Sequence, residues 1–100
     1  MSGTVIVRYT THPEQAEENE RLIRAVFADL ARRRPDGLRY AVTRLEDGVS
    51  FVHLATFEGD VNPLTSSSAF GEFVSGIADR CVEPPRSTEG TPIGRYPGPE

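Results

Sequence analysis

The sequence predicts an α+β domain of the ferredoxin-like type, in which a βαββαβ chain forms a four-stranded antiparallel sheet with two helices on one face. Two apolar stripes at helical spacing alternate with segments rich in β-branched and aromatic residues, and an Asp-Gly pair separates the two middle strands. The chain has 100 residues, of which 37% are hydrophobic. That is enough for one domain, predicted over residues 1–96, with a Pro- and Gly-rich flexible tail at 97–100.

The first strand is predicted over residues 4–9, which are mostly β-branched or aromatic. Thr11 or His12 is expected to cap the first helix, because proline suits the first helical position and Thr11 with Glu14 has capping-box spacing. The apolar stripe of this helix comprises Leu22, Ile23, Val26, Phe27 and Leu30. Pro35-Asp36-Gly37 is predicted to end it, with three consecutive arginines in the last turn.

Residues 38–45 and 49–57 are predicted to form a hairpin. A two-residue turn at Asp47-Gly48 would pair Glu46 with Val49 and so fix the register of both strands. One face of the hairpin then carries Leu38, Tyr40, Val42, Phe51, His53, Ala55 and Phe57. This more apolar face is predicted to pack against the helices.

The second helix is expected to begin near three consecutive serines at residues 66–68, any of which could be its N-cap. Its apolar stripe is Phe70, Phe73, Val74, Ile77 and Cys81. Pro84-Pro85 is expected to break the chain. Residues 91–96 are therefore predicted to form the last strand.

The second face of the sheet predicts self-association. It carries Ala41, Leu45, Val52 and Leu54 among polar residues, and it is too apolar to face water by default. A second copy laid sheet to sheet would cover it and form a homodimer, a dimeric α+β barrel with the helices outside. The alternative is a monomer with an open, half-apolar sheet.

Composition excludes several classes of function. The net charge of −4 argues against nucleic acid, which requires a basic face. No apolar run approaches the roughly 20 residues of a membrane span, and no signal peptide is predicted. The single cysteine, Cys81, fits a reducing compartment, so we expect a soluble, cytoplasmic protein. His12 and His53 are the only histidines and no pair of residues has metal-ligand spacing, so neither a metal nor another cofactor is predicted.

Two segments resemble the antibiotic biosynthesis monooxygenase family of dimeric α+β barrels: residues 51–58 and residues 67–73. The second is similar to the serine-proline-alanine-phenylalanine signature of that family, and the resemblance extends from Val5 to about Tyr96. It implies a cofactor-independent oxygenase acting on a small aromatic or polyketide-like compound. The sequence also departs from the family, with Phe57 where many members have Trp and Leu64 where the haem-degrading branch has His. Haem degradation is therefore not expected.

His53 is the candidate catalytic residue, because strand alternation places it among apolar residues on the helix-covered face. A neutral imidazole there could act as a general base on a phenol or an activated methylene. A structural histidine bonded to a backbone carbonyl or to Tyr40 is the alternative. Candidate substrate-binding residues, which would form an aromatic wall, are Tyr9, Tyr40, Phe57, Phe70 and Phe73. The alternative function is a non-catalytic dimeric module that binds a small hydrophobic ligand.

Overall fold

The computed structural model describes residues 2–96, and the predicted flexible tail at 97–100 lies outside them. The strands are β1 (Ser2–Thr11), β2 (Leu38–Arg44), β3 (Ser50–Glu58) and β4 (Cys81–Gly90), and the α-helices are α1 (Ala16–Arg33), α2 (Ser68–Ser75) and α3 (Ile77–Arg80). The strands form one antiparallel sheet in the order β2-β3-β1-β4. The predicted ferredoxin-like α+β fold class is confirmed.

Helix α1 begins later than the sequence suggests. Thr11 still belongs to β1, where its hydroxyl donates to the Val49 carbonyl over 3.1 Å, so the predicted capping box does not form. A 3-10 turn at Pro13–Gln15 leads into the helix instead. The helix ends as predicted, with two arginines in its last turn and Arg34 at φ 50°, whose N–H donates to the Leu30 carbonyl. Left-handed geometry is common where a helix stops.

The hairpin of β2 and β3 has the predicted register, pairing Leu38 with Phe57 and Arg44 with Phe51. Its turn differs from the prediction. The N–H of Gly48 donates to the Leu45 carbonyl, and Gly48 has φ 79°, so Gly48 follows the turn in a left-handed conformation. The carboxylate of Asp47 accepts the N–H groups of Val49, which precedes β3, and of Ser50, the first residue of β3, and this orders the turn.

The predictions for the second helix and the last strand are partly wrong. The helix is interrupted at Gly76 and splits into α2 and α3, with the Ser67 hydroxyl accepting the Phe70 N–H as N-cap. Strand β4 begins at Cys81 and runs through Pro84-Pro85, whereas residues 91–96 form no strand. Proline is tolerated there because β4 is an edge strand and its pairing with β1 is irregular between Arg8 and Thr10.

The core lies between the helices and one face of the sheet. Its fully buried side chains include Tyr9, Val26 and Phe51. On the opposite face Ile6 and Leu54 are paired across β1 and β3, and they remain 40% and 44% exposed. This face is called the open face below. Within residues 2–96, no helix is long and apolar enough to cross a membrane.

Candidate functional site

A cavity of about 220 Å³ lies between the helix-covered face of the sheet and the helices α2 and α3. Each of the four strands contributes to its wall. The lining residues are Val5, Val7, Tyr9, Tyr40, His53, Ala55, Asn62, Leu64, Phe70, Phe73, Val74, Ile77 and Pro85. No Asp, Glu, Lys or Arg is among them, so the wall is apolar except for an amide, two phenols and one imidazole.

The imidazole of His53 is held between two tyrosines. Its Nδ1 lies 2.8 Å from Tyr40 Oη, and its Nε2 lies 2.7 Å from Tyr9 Oη. These contacts follow from strand alternation and register, because His53 of β3 pairs with Val7 of β1 and Val42 of β2, each two residues from one of the tyrosines. Both ring nitrogens are therefore engaged by phenolic hydroxyls.

The hydrogen bonds continue away from the cavity into the protein. Asn19 of α1, which is 0% exposed, donates its side-chain N–H to Tyr9 Oη over 2.8 Å. Arg80 at the end of α3 donates its Nε–H to Asn19 Oδ1 over 3.0 Å. The chain of five side chains from Arg80 through Asn19, Tyr9 and His53 to Tyr40 is called the relay below.

Arg80 is buried without a carboxylate partner. Arg80 is only 6% exposed, and its Nη2 group donates to the Phe73 carbonyl over 2.6 Å. The guanidinium carbon lies 5.2 Å from the centre of the Phe73 ring, a cation–π distance. None of the ion pairs among the described residues includes Arg80. A positive charge is thus fixed behind the cavity, and its hydrogen-bond partners are neutral groups.

Burial sets the protonation states of the relay. It lowers the pKa of His53 from 6.5 to about 4, so the imidazole is neutral at neutral pH. Burial likewise raises the pKa of the Tyr9 and Tyr40 phenols well above their usual range, and the hydrogen bond from Asn19 only partly opposes this for Tyr9. All three groups are therefore uncharged hydrogen-bonding groups at neutral pH.

The structure brings most of the predicted site residues together. Tyr9, Tyr40, His53, Phe70 and Phe73 all line the cavity. Their roles in catalysis or binding stay predictions. The geometry constrains the role of His53: because both of its ring nitrogens are hydrogen-bonded to tyrosines, it can exchange a proton with a ligand only through a tyrosine hydroxyl. The hydrogen bond to Tyr40 that was expected of a structural histidine is present.

Phe57 does not join the other site residues. Its ring lies over Gly3 near the start of β1 and lines a separate surface depression with Asp60 and Gly90. Leu64, where the haem-degrading branch would have histidine, is 2% exposed in the cavity wall. The cavity wall therefore contains only one histidine, His53.

Asn19 and Arg80 are the two relay members that the sequence analysis missed. Each sits in phase with an apolar stripe, Asn19 four residues before Ile23 and Arg80 three after Ile77. A polar residue on a buried stripe is the signal in the sequence that could have identified them.

Within the described part of the chain, no three His, Cys, Asp or Glu side chains are grouped to hold a metal ion.

Among known proteins, several solved structures are similar to this chain. No family model matches the sequence, and no curated protein matches it significantly. Solved structures do match. Rv0793 from Mycobacterium tuberculosis superposes with a TM-score of 0.77 at 18% identity, over 96% of this chain and 99% of that one. A protein from Nitrosomonas europaea, provisionally named antibiotic biosynthesis monooxygenase, has a TM-score of 0.77 at 16% identity, over 98% and 94%.

A third neighbour is a variant of SnoaB from Streptomyces nogalater, described as a cofactor-independent oxygenase. Its TM-score is 0.67 at 19% identity, over 96% of this chain and 97% of that one. The chain has the fold of the antibiotic biosynthesis monooxygenases. The resemblance expected from the sequence is thus confirmed at the level of the fold, along nearly the whole chain.

Proposed function

We propose that this protein is a cofactor-independent monooxygenase acting on a small aromatic compound that ionises to an electron-rich anion. The observation that carries the proposal is the Tyr9–His53–Tyr40 arrangement in the wall of an apolar cavity. An apolar wall accommodates an aromatic ring, and a few converging polar groups orient it. The fold supports this choice, because it is shared with a protein described as a cofactor-independent oxygenase.

The reaction needs no electron donor other than the substrate. In an anthrone-like compound, the anion transfers an electron to O₂, and the two resulting radicals combine to form a carbon–oxygen bond. Loss of water from that peroxide leaves a carbonyl where a methylene stood. The substrate supplies all the electrons that reduce O₂ to the carbonyl oxygen and water.

The cavity volume restricts the size of the substrate. At about 220 Å³, the cavity is smaller than the roughly 300–1,000 Å³ of typical ligand sites. It can enclose about two rings of a substrate, so the remaining ring of a three-ring compound such as anthrone would lie outside it. The rim includes Val74, which is 45% exposed, so a longer substrate would extend into solvent there.

Oxygen consumption tests the proposal. The purified protein, with a metal chelator and without flavin, is mixed with anthrone and with a naphthoquinol while dissolved O₂ is recorded against the spontaneous rate. We expect protein-dependent uptake that falls roughly 10²-fold in Tyr40→Phe, the usual effect of removing one donor to a developing oxyanion. Wild-type turnover by a folded Tyr40→Phe variant would contradict the proposed role of the site.

The second candidate function is a non-catalytic module that binds a small hydrophobic ligand. It is favoured by one observation: both nitrogens of His53 are hydrogen-bonded, as in a structural histidine. Binding of aromatic compounds without any oxygen uptake would support this second candidate and exclude the first.

We further propose that a second copy covers the open face and forms a homodimer. Ile6 and Leu54 are the apolar pair left most exposed at the centre of the sheet. Contact between two such faces would remove both residues from water and close the sheets against each other.

A further inference from the structure

Hydrogen-bond direction along the relay follows from its first member. A guanidinium has donors and no acceptor, so Arg80 fixes Asn19 with its oxygen toward Arg80 and its N–H toward Tyr9. Tyr9 Oη accepts that N–H and has its own hydrogen left to donate. The acceptor within reach is Nε2 of His53, at 2.7 Å.

The direction continues through the imidazole to the cavity. A neutral imidazole whose Nε2 accepts carries its hydrogen on Nδ1, and His53 therefore donates to Tyr40 Oη. Tyr40 then retains a hydroxyl hydrogen for which the protein supplies no acceptor among the described residues. Tyr40 lines the cavity, so that hydrogen is available to a ligand.

The opposite direction leaves a buried donor unsatisfied. If His53 carried its hydrogen on Nε2, Tyr9 Oη would accept from both Asn19 and His53, and its own hydrogen would have no acceptor. Tyr9 is 2% exposed, so water cannot replace the missing bond. An unsatisfied buried donor is costly, so the direction toward the cavity is favoured.

The charge of Arg80 acts in the same direction. The charge of Arg80 contributes to lowering the pKa of the Glu18 carboxyl, but this carboxylate forms its ion pair with Arg21 and not with Arg80. Burial raises the pKa of the Cys81 thiol beside Arg80, so this thiol is neutral and does not pair with the guanidinium. A positive charge that is buried and unpaired polarises the donors that lead away from it, because the interior screens charge weakly.

We propose that the cavity binds its ligand as an oxyanion, a phenolate or an enolate, which accepts the hydroxyl hydrogen of Tyr40, and that Arg80 is a positioning residue that sets this preference through the relay. The ligand leaves its proton in bulk water, and His53 serves as a donor rather than as a base. This inference names the substrate form of the proposed function and rests on the same cavity. It does not require that the ligand be oxidised.

A phenol that is not oxidised in the assay tests the inferred binding of an oxyanion separately from the proposed oxygenase activity. The probe is 4-nitrophenol, which ionises near neutral pH and whose anion is coloured. Its apparent pKa is measured by absorbance with and without saturating protein. We expect the bound probe to have a pKa lower by about one, which means that the anion binds about tenfold more tightly than the phenol. Tyr40→Phe and Arg80→Met should each reduce this preference to less than about threefold.

A matched variant distinguishes an effect transmitted through the relay from the general effect of removing a positive charge. Arg24→Met removes an exposed arginine that pairs with Glu20 on the surface of α1, and it should leave the preference unchanged. If Arg80→Met fails to fold, Tyr40→Phe alone decides, because it removes only the terminal donor. A bound probe with raised or unchanged pKa, or no binding of 4-nitrophenol, would overturn the inference. A lowered pKa without oxygen uptake from any quinol would preserve it while refuting the proposed oxygenase.

Discussion

The three tyrosines of the chain form a series that measures the stability held in the relay. Tyr9→Phe removes one hydroxyl and keeps the ring, which stacks on Phe51 at 5.5 Å in a fully buried position. Tyr40→Phe removes the terminal hydroxyl at the cavity. Tyr96→Phe removes the hydroxyl of a residue that is 98% exposed. Because the chemical change is identical, effects on the unfolded chain cancel between variants.

The contacts set the expected magnitudes. Tyr9 Oη makes two buried hydrogen bonds, and its loss leaves both Asn19 Nδ2 and His53 Nε2 without a partner. Two net hydrogen bonds together with the unsatisfied groups left behind amount to roughly 2–4 kcal/mol. Tyr40 Oη makes one bond, at the edge of a cavity that water can enter, so about 1 kcal/mol is expected. Tyr96→Phe should change stability by less than about 0.5 kcal/mol.

Urea unfolding followed by circular dichroism measures these differences. All variants are compared at one protein concentration, because association would make stability depend on concentration. Equal slopes with different midpoints would show that only the stability of the folded state has changed. A Tyr9→Phe variant as stable as Tyr96→Phe would refute the buried hydrogen bonds and, with them, the relay.

The remaining predictions concern pH and assembly. Because the folded pKa of His53 is about 4 rather than 6.5, the unfolded chain binds a proton in this interval that the folded chain does not. Stability should therefore be fully present above pH 6.5 and should fall by about 2 kcal/mol between pH 7 and pH 5, a component that is absent from His53→Gln when urea midpoints are compared across pH. Light scattering after size exclusion should give twice the chain mass of 11.0 kDa, and an eluting monomer would contradict the proposed dimer. Leu54→Arg should dissociate or unfold it, because the change would bury an unpaired charge between two sheets.

The sequence predicts most of the fold because its signals are local. Hydrophobic periodicity and the β2–β3 register identify both helical regions and the face on which His53 lies. The predicted position of the last strand is wrong because β4 runs through Pro84-Pro85, a pair that by itself indicates a break in a strand. Whether proline is excluded from a strand depends on whether that strand lies at the edge of the sheet, and strand order is a tertiary property.

The relay could be predicted only in part for the same reason. Strand alternation places Tyr9, Tyr40 and His53 on one face, and the sequence suffices for that. Asn19 and Arg80 are 61 residues apart in sequence and meet only because α1 and α3 pack over β1. Phe57 shows the converse limit, since it shares the predicted face with His53 but lies too near the end of β3 to line the cavity.

The tautomer of His53 tests the direction of the relay most directly. Nitrogen-15 spectra of the imidazole distinguish a protonated from an unprotonated ring nitrogen, and His53→Gln assigns the signals against those of the second histidine, His12. At pH 7 we predict a neutral ring with hydrogen on Nδ1 and a bare, hydrogen-bonded Nε2. A ring protonated on Nε2 alone, or an imidazolium with both nitrogens protonated, would contradict a relay that runs from Arg80 to the hydroxyl of Tyr40.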